Sequence, residues 1–183
     1  TIFKSDSFFN IESNSKIENI KFKTISEITR DEKGIITNNI YTKLYIYHKN
    51  NIIVNNVNGE GLVIEISNSY NIKVTNCNIN SGYSLASCIT IVSSSKDCEI
   101  NNCDIYGANY NGIGVIESSN INIKNNKFHN NGHSGIWTNY NTDLMIDNNY
   151  FYNNKIDGLD LNNSGDNFYV DFISRFTVKN NKS

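Results

Sequence analysis

Apolar residues recur at every second position along most of this chain, and Asn follows them at a fixed offset. One template describes seven segments: apolar, any, apolar, any, Asn, column residue, any, apolar. The segments are KIENIKF (16–22), NIIVNNVN (51–58), NIKVTNCNI (71–79), DCEINNCDI (97–105), NINIKNNKF (120–128), DLMIDNNYF (143–151) and FTVKNNK (176–182). A period of two predicts β-strands and excludes amphipathic helices, whose apolar residues recur about every 3.6 positions.

The column position of the template is occupied in turn by Ile20, Val57, Cys77, Cys103, Asn126, Asn149 and Asn181. Successive members are 37, 20, 26, 23, 23 and 32 residues apart, which indicates a repeat of about 23 residues. The two long spacings contain extra sequence, which we place in excursions at 24–39 and 163–173. The charged stretch SEITRDEKG (26–34) in the first excursion is expected to be a solvated loop or a short helix.

A second strand is predicted in each repeat, before the template segment. The five examples are GLVIEI (61–66), SCITIV (87–92), GIGVIE (112–117), GIWTNY (135–140) and GLDLNN (158–163). Each repeat therefore has two or three short strands separated by Asn or Gly corners. A unit of this size cannot enclose a core alone, but stacked units can. The Leu-x-x-Leu-x-Leu frame of a leucine-rich repeat is absent.

Composition narrows the possible functions. About a fifth of the residues are Asn and none is Pro, but the Asn residues alternate with Ile and Val, unlike a disordered low-complexity tract. The net charge of -2 and only two arginines, Arg30 and Arg175, argue against a nucleic-acid partner. No apolar run is long enough for a membrane helix, so we expect no membrane insertion. The chain begins at Thr1 without Met, and we expect it to be a piece of a longer protein.

The repeated motif N-x-I-x-N-[NC]-x-[IF] resembles that of the right-handed parallel β-helix family. This family includes pectate lyases, polygalacturonases, NosD-like proteins, alginate epimerases and phage tail spikes, and the likeness covers about residues 15 to 183. The resemblance implies an all-β fold: one parallel β-helix domain over 1–183, with about seven coils of roughly 23 residues and like side chains stacked inward. An open last coil would be covered by a continuing chain or by the other subunits of a homotrimer.

The column residues are expected to interact along the helix axis, because successive coils of a parallel β-helix lie about 4.8 Å apart. Asn126 and Asn149 can then link amide to amide. Cys77 and Cys103 would come close to disulfide distance, and the sequence leaves open whether they are two thiols or a disulfide. No Cys-x-x-Cys motif occurs, so no zinc site is expected, and neither a metal nor a cofactor is predicted.

The same columns bring outward side chains together on coils four to six. They place His129 between Tyr106 and Tyr152, and Trp137 between Gly114 and Asp160. Aromatic rings can stack on sugars, while amides and acids bind hydroxyl groups. The expected sugar-binding residues are Tyr106, Tyr110, His129, Trp137, Asn139, Tyr140 and Tyr152. The alternative is that these side chains only decorate a β surface.

Catalysis would require two carboxylates flanking a glycosidic bond, about 5 to 10 Å apart. The acids near Trp137 are Glu117, Asp157 and Asp160, and His133 could act as an acid or base. The signatures of three enzyme groups of this family do not fit. GHS (132–134) precedes NTD (141–143), which is the reverse of the order in polygalacturonases, and the coils lack the acidic cluster of pectate lyases. The Asp-Pro-His-Asp motif of alginate epimerases is excluded because the chain has no Pro. The sequence therefore leaves open whether the chain is an enzyme; a lyase or glycoside hydrolase would be expected if it is.

Three functional hypotheses follow from the resemblance. In the first, the chain is a module of a phage tail spike or similar surface protein that binds bacterial or cell-surface polysaccharide and could degrade it. In the second, it is a secreted polysaccharide lyase, glycoside hydrolase or epimerase. In the third, it is a structural spacer without affinity for glycans. The first two imply an extracellular location or the surface of a virion.

Overall fold

The computed structural model describes residues 2–3, 7–24, 29–30, 32, 36–38, 41–82, 86–156, 159–160 and 176–182. These residues form three seven-stranded parallel sheets, which we call A, B and C, and one two-stranded antiparallel sheet. The chain visits sheets B, C and A in turn, so each strand pairs with the strand one coil away. The predicted all-β parallel solenoid is confirmed.

The strands are short and follow the repeat of the sequence. Sheet B contains β2 (Ser7–Asn10), β7 (Thr42–Tyr47), β10 (Leu62–Ser67), β13 (Ile89–Val92), β16 (Ile113–Ile116), β19 (Ile136–Asn139) and β22 (Leu159–Asp160). Sheet C contains β3 (Lys16–Glu18), β8 (Asn50–Asn55), β11 (Tyr70–Thr75), β14 (Lys96–Asn101), β17 (Ser119–Lys124), β20 (Thr142–Asp147) and β23 (Phe176–Lys179). Sheet A contains β1 (Ile2–Phe3), β4 (Lys21–Thr24), β9 (Asn58–Glu60), β12 (Asn78–Asn80), β15 (Asp104–Tyr106), β18 (Lys127–His129) and β21 (Tyr150–Tyr152).

Five three-stranded coils follow one another from β7 to β21. Further strands at both ends extend each sheet to seven, but they connect to these coils through segments that are described only in part. The count of about seven coils was therefore slightly high for the continuous part of the solenoid, although the repeat length of about 23 residues was correct.

The first excursion contains a short antiparallel pair within its described residues. β5 (Thr29–Arg30) pairs with β6 (Ile36–Asn38), where we expected a loop or short helix. The second excursion, 163–173, lies outside the described residues. Among the residues that are described, no helix is long and apolar enough to cross a membrane.

The core is formed by the inward positions of all three sheets, which stack like on like. In sheet B, Ile64, Ile89, Ile113 and Ile136 follow one another in register, and each is buried. In sheet A, Phe128 and Phe151 stack with ring centroids 5.2 Å apart. The inward side chains of each coil are thus covered by those of the adjacent coils. The hydrophobic stabilisation, which depends on the apolar surface removed from water, therefore requires stacked coils.

Buried Asn side chains form a ladder along the predicted column. The Asn126 Oδ1 atom accepts from the Cys103 N–H at 2.8 Å, and the Asn149 Oδ1 atom accepts from the Asn126 N–H at 2.9 Å. The Asn126 Nδ2 group donates to the Asn149 Oδ1 atom at 3.0 Å and to the Ile100 carbonyl at 3.0 Å. Asn181 continues the ladder beyond Asn149. Each amide therefore links its own coil to the coils on both sides.

A second buried ladder, which the sequence analysis did not identify, lies between sheets A and B. The Asn131 Oδ1 atom accepts from the Ala108 N–H at 3.2 Å. The Asn131 Nδ2 group donates to the Asn154 Oδ1 atom at 3.0 Å. The signal was present in the sequence, because the Asn-Asn pairs at 130–131 and 153–154 repeat at the same spacing of 23 residues.

The corners between sheets C and A use Asn in the left-handed backbone region. Their φ angles lie between 51° and 57° at Asn56, Asn76, Asn102, Asn125, Asn148 and Asn180. Asn is one of the few residue types other than Gly that adopt this region readily. The exposed amides at these corners also pair along the axis, as in the 2.8 Å bond from the Asn148 Nδ2 group to the Asn125 Oδ1 atom.

We expect Asn126→Leu to lower the free energy of unfolding by about 3 kcal/mol, because several buried polar groups lose their partners at once. Denaturant unfolding measures the change. The matched control is Asn125→Gly, which keeps the left-handed corner and removes only exposed amide bonds, and should cost less than about 1 kcal/mol. Equal decreases in the free energy of unfolding of the two variants would contradict the larger contribution that we assign to the buried ladder.

Candidate functional site

Three aromatic side chains form a continuous stack on the outer side of sheet A. His129 is in register with Tyr106 on one side and Tyr152 on the other, as the repeat predicted. The ring centroids of Tyr106 and His129 are 4.7 Å apart, and those of His129 and Tyr152 are 4.6 Å apart. The rings are within 10° of parallel. The central ring therefore has both of its faces covered by its neighbours.

The polar atoms of the His129 ring also have partners. The Nε2 atom lies 2.9 Å from the Asp104 Oδ1 atom, and the Asn130 Nδ2 atom lies 2.8 Å from Nδ1. These contacts fit an Nε2–H donor and an Nδ1 acceptor. The Tyr106 hydroxyl is 3.3 Å from the Asn78 Oδ1 atom. His129 therefore offers no open ring face to a ligand, and within the stack only the end residues Tyr106 and Tyr152 have a face that is not covered by His129.

The corner between sheets A and B holds His133. The His133 backbone N–H donates to the Tyr110 carbonyl at 3.0 Å, and the Ile156 N–H donates to the His133 carbonyl at 3.2 Å, so Tyr110 and Ile156 are its neighbours on the adjacent coils. Tyr110 is exposed, with 52% of its surface accessible, and the His133 Nδ1 atom is 3.3 Å from the Ser134 hydroxyl. Asp157 lies outside the described residues.

Trp137 lies on the outer side of sheet B, in register with Gly114 and Asp160 as predicted. The indole is half-buried. A methyl group added at Gly114 would lie 3.9 Å from the Trp137 Cε3 atom and 3.5 Å from the Ser87 hydroxyl, so the ring lies over the glycine in ordinary contact. Gly114 itself is buried, so the Trp137 indole and the Ser87 side chain cover it, and the exposed part of the indole is the aromatic surface at this place.

Glu117 and Tyr140 occupy the next corner, between sheets B and C. Both have left-handed backbones, with φ of 48° and 53°, and both are exposed. Asn139 was expected among the exposed amides, but its side chain is buried, with 6% accessible. Asn139 is the last residue of β19, and the chain turns at Tyr140 directly after it. At this corner an outward position of the strand is covered, and the Asn139 side chain is therefore not exposed to solvent.

Of the three acids that were considered for catalysis, Glu117 and Asp160 lie in described parts of the chain, and their backbone positions are offset in two directions. Asp160 is two coils from Gly114, whereas Glu117 is three residues beyond Gly114 along the strand. At roughly 3.3 Å per residue and 4.8 Å per coil, the backbone positions differ by about 10 Å along the strand and about 10 Å along the axis. The backbone positions of Glu117 and Asp160 are therefore about 14 Å apart.

A further aromatic group occupies the opposite end of sheet B and was not identified from the sequence. The rings of Tyr45 and Tyr47 are parallel within 4°, with centroids 5.5 Å apart, and His48 lies against Tyr47. The Lys43 ammonium is 5.9 Å from the ring centres of both Phe8 and Tyr45. The alternation in YTKLYIYH (41–48) was the available signal, since its polar positions carry the tyrosines.

The comparison with known families identifies the architecture. The description "right handed beta helix region" matches residues 3–172. The chain belongs to the right-handed β-helix family. No curated protein that was compared matches the chain. Membership fixes the hand of the solenoid, but it assigns no ligand to the outer surfaces of this β-helix.

The four cysteines of the β-helix are free and buried. Cys98 and Cys88 lie at separate core positions, and burial raises the pKa of Cys98 to about 12 and that of Cys88 to about 11. Cys77 and Cys103 are neighbours in the column, as predicted, and are thiols here rather than a disulfide. Within the described parts of the chain, no group of three or more His, Cys, Asp or Glu side chains could hold a metal ion.

The raised pKa of Cys98 predicts a pH-dependent stability. Between pH 9, where the thiol ionises in the unfolded chain, and pH 12, the folded state retains a proton that the unfolded state has lost. Stability due to this group should therefore fall by about 1.4 kcal/mol per pH unit above pH 9. Denaturant unfolding of the parent and of Cys98→Ala at several pH values isolates the effect, because other groups titrate equally in both. The free energy of unfolding of the parent should exceed that of Cys98→Ala by less at pH 11 than at pH 9. A difference that stays constant with pH would contradict the burial of a protonated thiol.

Proposed function

We propose that this β-helix is the polysaccharide-binding module of a surface protein of the phage tail-spike type. The observation that supports the proposal best is the half-buried Trp137 beside Gly114 on the outer side of sheet B. A partly exposed indole that lies against the backbone of the neighbouring coil is a surface on which a sugar ring can stack.

The proposed binding surface, which we call the sheet B strip, is the outward column that runs through Trp137. Its members are in register from coil to coil: Tyr45, Glu65, Thr90, Gly114 and Trp137. Four coil steps of about 4.8 Å give the strip a length of about 19 Å. It has an aromatic residue at each end, a small side chain at Thr90 and a buried glycine at 114. Such a strip suits an extended chain of sugar units better than a compact ligand.

Polar side chains along the strip are held in place. The Glu65 Oε2 atom lies 2.6 Å from the Lys43 ammonium, and the carboxylate is about a quarter exposed. A carboxylate fixed in this way can accept hydrogen bonds from sugar hydroxyls without further ordering. The offset of Glu117 from Asp160 leads us to propose binding rather than cleavage. Such a module would act outside the cell or on a virion, where polysaccharide is displayed.

A glycan array probed with the purified chain tests the proposal. We expect binding to a linear polysaccharide, and we expect Trp137→Ala to weaken it by roughly tenfold or more, because an aromatic contact that anchors a ligand is commonly worth at least about 1.4 kcal/mol. Tyr70→Ala is the matched control, since Tyr70 is an exposed aromatic on sheet C, with 48% of its surface accessible. Thermal unfolding of both variants verifies that the fold is retained.

The alternatives give different results in the same experiment. A chain that binds no glycan would be a structural spacer. New reducing ends or unsaturated products, abolished by Asp160→Asn, would identify an enzyme. Glycan binding that is unchanged by Trp137→Ala would show that the sheet B strip is not the binding surface.

A further inference from the structure

In two adjacent coils, the column that carries the Asn ladder contains Cys instead of Asn. Cys77 and Cys103 stand where Asn126 and Asn149 stand later, and the Asp104 N–H donates to the Cys77 carbonyl at 2.8 Å. Their side chains are almost fully buried, with 3% of each accessible. Two thiols therefore face the same direction from neighbouring rungs, at the coil spacing of about 4.8 Å.

The nearest acceptors of the two thiols are the Thr75 carbonyl, 3.1 Å from Cys77, and the Asn101 carbonyl, 3.3 Å from Cys103, but both thiols also lie near the carbonyl that the Asn amides reach elsewhere in the column. The Cys77 Sγ atom is 3.7 Å from the Val54 carbonyl, and the Cys103 Sγ atom is 3.6 Å from the Val74 carbonyl. Asn126 makes the same contact one coil later through its Nδ2 group, at 3.0 Å from the Ile100 carbonyl. The column position thus tolerates either a thiol or an amide without a change in the backbone.

The two sulfur atoms also interact with each other. A hydrogen bond from the Cys103 thiol lowers the pKa of Cys77, assisted by nearby backbone N–H groups and opposed by burial. The same hydrogen bond, together with burial, raises the pKa of Cys103 well above its ordinary value. The pair therefore differs from Cys88 and Cys98, whose pKa values are raised chiefly by burial.

A cleft lies directly outside the pair. It has a volume of about 240 Å³ and is lined by Asn76, Cys77, Asn78, Asn102, Cys103, Asp104, Asn125 and Lys127. A small ion could reach the column from this side without passing through the apolar core. The Lys127 side chain at its rim would favour an anionic complex at the sulfur atoms.

We propose that Cys77 and Cys103 bind one soft monovalent metal ion, Cu(I) or Ag(I), in a two-coordinate site between adjacent coils. Thiolates are the ligands that select such ions. A metal–sulfur bond of about 2.3 Å, as in zinc thiolates, gives a linear sulfur–metal–sulfur unit of about 4.6 Å. This length is close to the coil spacing of about 4.8 Å, so the ion fits between the rungs with a small movement of the side chains.

Binding is balanced by the release of both thiol protons. Two neutral thiols and one monovalent cation give a bis-thiolate complex with one negative charge and two protons in solution. No electron is transferred, so no oxidant is required. Binding should consequently tighten as the pH rises, since the protons compete with the metal for the sulfur atoms.

Titration of the reduced chain with Cu(I), supplied anaerobically as its coloured bis-chelate complex, tests the site. We expect one Cu(I) per chain and a rise in the thermal unfolding temperature on binding. Cys77→Asn and Cys103→Asn should each weaken binding at least about 100-fold, since loss of even an outer-shell partner costs roughly 10–100-fold. Asn is chosen because it is the residue that fills this column in later coils.

Cys98→Ala is the matched control, because Cys98 is a buried thiol of another column and should leave the affinity for Cu(I) unchanged. The double variant Cys77→Asn/Cys103→Asn should have a thermal unfolding temperature at least as high as that of the metal-free parent. This measurement separates loss of metal binding from loss of the fold. The proposal is wrong if the parent does not remove Cu(I) from the chelator. It is equally wrong if the double variant binds Cu(I) as tightly as the parent.

Discussion

The in-register hydrogen bonding between coils is the constraint on which the rest of this molecule depends. A strand of three to six residues has no stability alone, and here every strand of the solenoid obtains its partners from residues about one repeat away. Because neighbouring coils are fixed at about 4.8 Å, side chains at equal positions are forced into contact. A position in the repeat must therefore hold side chains that are compatible with copies of themselves. Ile, Phe, Asn and Cys columns satisfy this condition in different ways.

The Asn residues meet two distinct requirements in this architecture. At the corners they adopt the left-handed backbone, with φ near 50°, that lets the chain change direction within one or two residues. In the buried columns, their amides supply both a donor and an acceptor, so that backbone groups at the corners are not left unpaired in the interior. The absence of Pro agrees with this arrangement, since Pro cannot adopt a positive φ or donate to a neighbouring coil.

Contacts between residues that are one repeat apart could be predicted from the sequence. Features that depend on the position of a residue within one coil could not. The contacts of Asn126 with Asn149 and of His129 with Tyr106 followed from spacing alone. The burial of Asn139 did not, because it depends on where a corner begins within one strand. The covered ring faces of His129 depend on side-chain rotamers, and the distance between Glu117 and Asp160 depends on position along the strand. The antiparallel pair of β5 and β6 lies outside the repeat, where periodicity carries no information.

The equivalence of coils in the buried columns has a consequence for how this protein can evolve. The coils that contain Cys103, Asn126 and Asn149 are joined by the same kind of column hydrogen bond although some of their core residues differ, so a duplication or deletion of one 23-residue unit would leave such contacts in place. Such an event in the gene would move every downstream surface residue by one rung and change the length of the sheet B strip in a single step. Descendants of one ancestral chain could thus differ in the size of the ligand they accommodate while sharing the same interior.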